Sequence, residues 1–164
     1  QKLKMKYAHR FDEEDGDGLT LEEALMQLLN GSEMDAKSGD KYGYAFELLC
    51  DHFGEFLDNS AWSAAEADWP DQVQAAIDEA GISSEMISVT DQLTYRGTPI
   101  AIPRADDFPC IGFLRRAEIT DTHPFLKSLD LMAFDEEVRS SLEQIGGWLE
   151  RCRKLECDLV CFWY

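Results

Sequence analysis

At 164 residues, 45% of them apolar and with nine Phe, five Tyr and four Trp, the chain can build a packed core without a disulfide or metal. Its formal net charge of −18 repels phosphate backbones and anionic lipid, which argues against a nucleic acid or a membrane surface as direct partner. Its apolar runs fall short of the roughly 20 residues that cross a bilayer, and it shows no signal-peptide pattern.

Residues 1–18 read as a mobile lead, basic at first and then acidic, in a single domain covering residues 1–164. The first residue is Gln1, which suggests that a segment precedes it. Thr20 and Glu23 form a capping box, and Leu21, Ala24, Leu25, Leu28 and Leu29 follow the spacing of one helical face. Asn30 and Gly31 stop that helix. A second helix buries Tyr42, Ala45, Phe46, Leu49, Phe53 and Leu57, turns Glu47, Asp51, Glu55 and Asp58 to water, and ends at Asn59 and Ser60. Pro70 opens a third, with Val73, Ala76, Ile77 and Ala80 inward and Gly81 at its end. Residues 93–95 and 100–102 read as a hairpin around Arg96-Gly97-Thr98-Pro99, and residues 111–114 as a further strand. A helix interrupted at Pro124 covers residues 116–129. Asp135 caps a long late helix reaching Lys154, and the apolar residues 159–164 read as an interior strand. The expected fold is α+β: three N-terminal helices, a small mixed or antiparallel sheet, a long late helix and a C-terminal interior strand.

The residues that carry chemistry give few patterns. Laid on a twelve-residue calcium loop, Asp12, Glu14 and Glu23 fall at positions one, three and twelve, but Gly16 lacks the oxygen needed at five and Asp17 occupies the glycine position six. Moving the register by one residue puts Ala24 at position twelve, so the segment reads as an acidic turn before a capped helix, with no metal site. Cys50, Cys110, Cys152, Cys157 and Cys161 are odd in number and fit neither a disulfide framework nor zinc knuckles. Four of them sit in or beside apolar stretches and read as small hydrophobes, a pattern that suits a reducing, cytoplasmic setting. Cys50 and His52 point apart on a helix, and neither a nucleophile elbow nor a phosphate-binding glycine loop is present. Gly146 and Gly147 read as a place of close packing beside Trp148. No cofactor is implied. The one positional candidate is the loop at residues 103–109, bracketed by Pro103 and Pro109. Arg104, Asp106, Asp107 and Phe108 there are either a recognition surface or, more simply, local caps with Phe108 plugging the core.

Residues 42–50 (Tyr42-Gly-Tyr-Ala-Phe-Glu-Leu-Leu-Cys50), Arg96-Gly-Thr-Pro99, Asp106-Asp-Phe-Pro-Cys-Ile-Gly112 and the ending Leu159-Val-Cys-Phe-Trp-Tyr164 resemble a family of uncharacterised bacterial proteins. The order of elements is also similar, more distantly, to YfbM-like proteins. The resemblance implies an α+β fold in a bacterial cytoplasm, with no established activity and no catalytic residues to transfer.

Charge supplies the functional expectation. Residues 11–91 hold 21 acidic residues against two basic ones, Lys37 and Lys41, whereas residues 92–164 hold 12 against nine. The leading reading is a small acidic binding protein without catalytic activity, possessing the character of an immunity protein or antitoxin and steered to a basic protein partner. The alternative is a hydrolase with a site near residues 103–109. A deep pocket holding several carboxylates, or His123, with raised pKa values would favour it.

Overall fold

The computed structural model describes residues 18–62 and 68–164, and these form an α+β structure. Helices α1 (Leu21–Asn30), α2 (Gly39–Phe53) and α3 (Trp69–Glu79) come first, then a π-helical turn at Val89–Thr94. Strand β1 (Cys110–Leu114), helix α4 (Arg116–Ser128), a 3-10 turn at Leu131–Ala133, the long helix α5 (Glu136–Leu155) and strand β2 (Leu159–Trp163) follow. The two strands pair as an antiparallel sheet. The chain divides into two compact units, one of Gln1–Phe56, Ile100–Cys110 and Phe162–Tyr164, the other of Leu57–Pro99 and Ile111–Cys161.

In the first unit, local chemistry sets α1 as expected. The Glu23 amide donates to Thr20 Oγ1 at 3.2 Å, the Thr20 amide donates to Glu23 Oε2 at 3.0 Å, and Gly31 ends the helix at φ 63°. The Thr20 amide, and the Thr20 hydroxyl that donates to the same Oε2 at 2.9 Å, favour the ionised Glu23 carboxylate and hold it below the ordinary range. Helix α1 packs on α2 through Ala24, Leu25, Tyr42 and Ala45, with Ile102 against the same cluster. The Tyr42 hydroxyl donates to Gln27 Oε1 and accepts from the Asp35 amide, so a fully buried phenol is satisfied. A Cβ at Gly39 would lie 1.9 Å from the Arg104 carbonyl oxygen, so only glycine lets the start of α2 meet that loop.

In the second unit, α4 and α5 pack together, and Ile119, Leu126, Leu142, Ile145 and Leu149 supply buried side chains. The Val138 amide donates to Asp135 Oδ1 at 2.9 Å, the cap that the sequence indicates. Arg96 ties three segments together. It forks onto Glu118 at 2.7 and 2.9 Å, donates to the Phe113 carbonyl at 3.0 Å, and lies 4.2 Å from the Phe113 ring centre. The fork is the main cause that holds the Glu118 carboxyl below its ordinary range.

Three expectations are overturned. The hairpin is absent: Val89–Thr94 is a π-helical turn, and residues 100–102 are not a strand. The segment satisfies its own backbone, since the Asp91 amide donates to Ser88 Oγ, the Tyr95 amide to the Thr90 carbonyl and the Thr94 hydroxyl to the Val89 carbonyl. Helix α2 ends at Phe53, not at Asn59, because Gly54 turns extended (φ −91°, ψ −172°) and its amide closes on the Cys50 carbonyl. Phe53 is therefore 76% exposed, while Glu47, expected in water, is buried with Phe46 and Leu48. The closing strand is in place, but it is one of two among the described residues, and beyond Leu159 its residues are half-buried rather than interior.

Candidate functional site

The loop at residues 103–109 is held from beneath. Pro109 is buried and the Cys110 thiol reaches the Asp107 carbonyl at 3.6 Å, while Arg104, Asp106, Asp107 and Phe108 face solvent. Phe108 is 42% exposed and does not plug the core. Of the near-miss calcium residues, Asp12 and Glu14 lie outside the described residues, and Glu23 is committed to the α1 cap. Among the described residues, no group of three or more His, Cys, Asp or Glu is placed to hold a metal ion. No described helix is long and apolar enough to cross a membrane.

The cysteines are free thiols. Burial pushes Cys50 and Cys161 up to about 12, which leaves both protonated and poorly nucleophilic at neutral pH. His123 is buried on α4, and its pKa is lowered, first by burial and then by Arg153 and Lys127. That direction is opposite to the raised value that would have favoured an enzyme.

The second unit contains a shallow cleft of about 420 Å³ between residues 57–58 and the outer face of α5. Gln144 and Trp148, one turn apart, fix its wall. Trp148 Nε1 donates to the Asp58 carbonyl at 2.6 Å, and Gln144 Nε2 donates to Asp58 Oδ2 at 2.9 Å and Ser60 Oγ at 3.2 Å. Gln144 Oε1 in turn accepts from the Ala61 amide at 3.1 Å. Glu143 and Ser140 complete the rim, and Gly147 leaves it open: a Cβ there would meet nothing within 4 Å. Gly146, by contrast, faces Leu126, so only one of the paired glycines serves packing. Sequence reasoning did not find this cleft, because it treated residues 58–60 as a helix end. The available signal was Gln144 and Trp148, two side chains with amide or indole donors at i and i+4 beside a glycine pair.

No curated protein and no solved structure matches the chain. A family model describing a domain of unknown function does match, over residues 3–164. The chain therefore belongs to the DUF7691 family.

Proposed function

We propose that the protein is a non-catalytic acidic binding protein that recognises a basic protein partner, in the manner of an immunity protein or antitoxin in a bacterial cytoplasm. The observation that carries this reading is where the carboxylates stand. Of the 15 acidic residues described between residues 18 and 91, 13 are exposed; Asp40 is half-buried and Glu47 buried. Helix α3 alone presents Asp71, Asp78 and Glu79 to solvent without a basic residue of its own. A field of this sign accelerates encounter with a cationic surface and disfavours anionic competitors.

The test is affinity capture on the immobilised full chain at about 20 mM and about 500 mM salt, where the Debye length falls several-fold. A basic protein retained in stoichiometric amount at low salt and released at high salt is the expected result. The variant D71K/D78K/E79K should then slow its association by about tenfold or more. Recovery of no protein at low salt sinks the reading, and so does a partner whose on-rate ignores the variant.

A further inference from the structure

We infer that the cleft beside α5 is the place where an arginine side chain of the basic partner inserts, an assignment that rests on the function proposed above. The argument is one of donors and acceptors. The Trp148 indole N–H and the Gln144 amide are already spent on the Asp58 carbonyl, the Asp58 carboxylate and Ser60. The charged capacity left on the rim is acceptor capacity, and most of it is the exposed Glu143 carboxylate. Asp58 already accepts from the Ser60 amide at 3.3 Å, the Ser60 hydroxyl at 3.0 Å and Gln144 at 2.9 Å, which leaves part of Oδ1, and neither carboxylate is in an ion pair among the described residues. A guanidinium offers five donors and no acceptor, so it matches what remains, whereas an anion or an acceptor-rich metabolite does not.

Shape agrees with chemistry. Leu57 and Trp148 lend apolar surface for the aliphatic stem of a long cationic side chain. A cleft of about 420 Å³ that is open to solvent and not enclosed suits a side chain attached to a passing backbone. The wall is preorganised, because Asp58 is clamped through both its carbonyl and its carboxylate before anything binds.

A nona-arginine peptide titrated into the full chain, followed by NMR, reads this directly. The Trp148 indole N–H and Gln144 side-chain amide signals should shift saturably, with a lysine peptide of equal charge binding more weakly. E143Q removes a charge and G147L fills the opening. Both positions are exposed and a Cβ at Gly147 meets nothing within 4 Å among the described residues, so both variants should keep the parent circular dichroism and neither should lower the melting temperature. Each should weaken peptide binding by about fivefold to tenfold. Salt-sensitive binding that is unchanged in both variants, or shifts that avoid Trp148 and Gln144, overturns the cleft while leaving the acidic-partner reading intact. No binding of either peptide at low salt overturns both.

Discussion

Gly112 has no room for a side chain. A Cβ there would lie 2.1 Å from the Leu93 carbonyl carbon and 2.5 Å from the Thr94 nitrogen, both backbone atoms of the π-helical turn that cannot swing aside. Gly112→Ala is therefore expected to cost about 3 kcal/mol or more, at or beyond the upper end for added methyl groups in packed interiors. Chemical denaturation would measure it, and a variant as stable as the parent would show that β1 does not meet the turn so closely. His123 makes a second claim at this scale. Arg153 Nη1 lies 2.7 Å from Nδ1, and a guanidinium only donates, so Nδ1 accepts and the ring proton sits on Nε2, which is buried without a partner among the described residues. Since the folded pKa is lowered from 6.5, the unfolded chain binds more protons between the two values. Stability should then decline as pH falls through about 6.5 toward the folded value, and this loss should be complete below it. The His123→Leu variant should flatten that part of a urea-derived stability profile. The contribution of Glu118, whose pKa is lowered, disappears only under more acidic conditions, below the ordinary carboxylate range.

Helix α2 illustrates what a pattern of residues can and cannot decide for an element. Phe46 is buried and lies 6.0 Å from Phe162, ring centre to ring centre, whereas Phe53 stands in solvent. Phe46→Ala should cost about 3–5 kcal/mol, and Phe53→Ala no more than about 0.5 kcal/mol. Denaturant midpoints of the two variants test the assignment, and equal losses would refute it. The sequence placed both on one face, because a period of 3.6 says which residues share a stripe but not where the helix stops supplying neighbours. The caps at Thr20 with Glu23, at Gly31 and at Asp135 were legible, because they are local devices and need no tertiary context, whereas the end of α2 at Gly54 was not. The false hairpin at residues 93–102 failed for the converse reason. Three alternating residues do not separate a strand from a turn, and what decides between them is remote, namely the Gln74 side chain accepting from the Val89 amide and the close approach of Gly112. The cleft was hidden on the same grounds, since Gln144 meets Asp58 across 86 residues of chain.

At the scale of the molecule, an acid excess of 18 charges opposes the compact state through self-repulsion. The described ion pairs act in the other direction, but apart from the Arg96–Glu118 fork they are exposed surface pairs such as Arg116 with Glu156 at 2.7 Å, which contribute little. Salt weakens both effects. Repulsion among many like charges extends over the whole screening length, about 30 Å at 0.01 M and about 10 Å at 0.1 M, whereas a contact pair is short-range and less affected. Repulsion should therefore dominate the response, and the melting temperature should rise by a few degrees as sodium chloride increases from about 0.01 to 0.15 M. Chloride is the appropriate anion, because sulfate would stabilise by exclusion from the surface whatever the protein's charge. A melting temperature that is flat or falls with chloride would mean that the carboxylates are compensated within the fold. The proposed complex with a basic partner should respond in the opposite sense, loosening over the same range in which the free chain gains stability. If the salt that favours folding also dissolves the proposed complex, the carboxylates are arranged for something other than the protein's own stability.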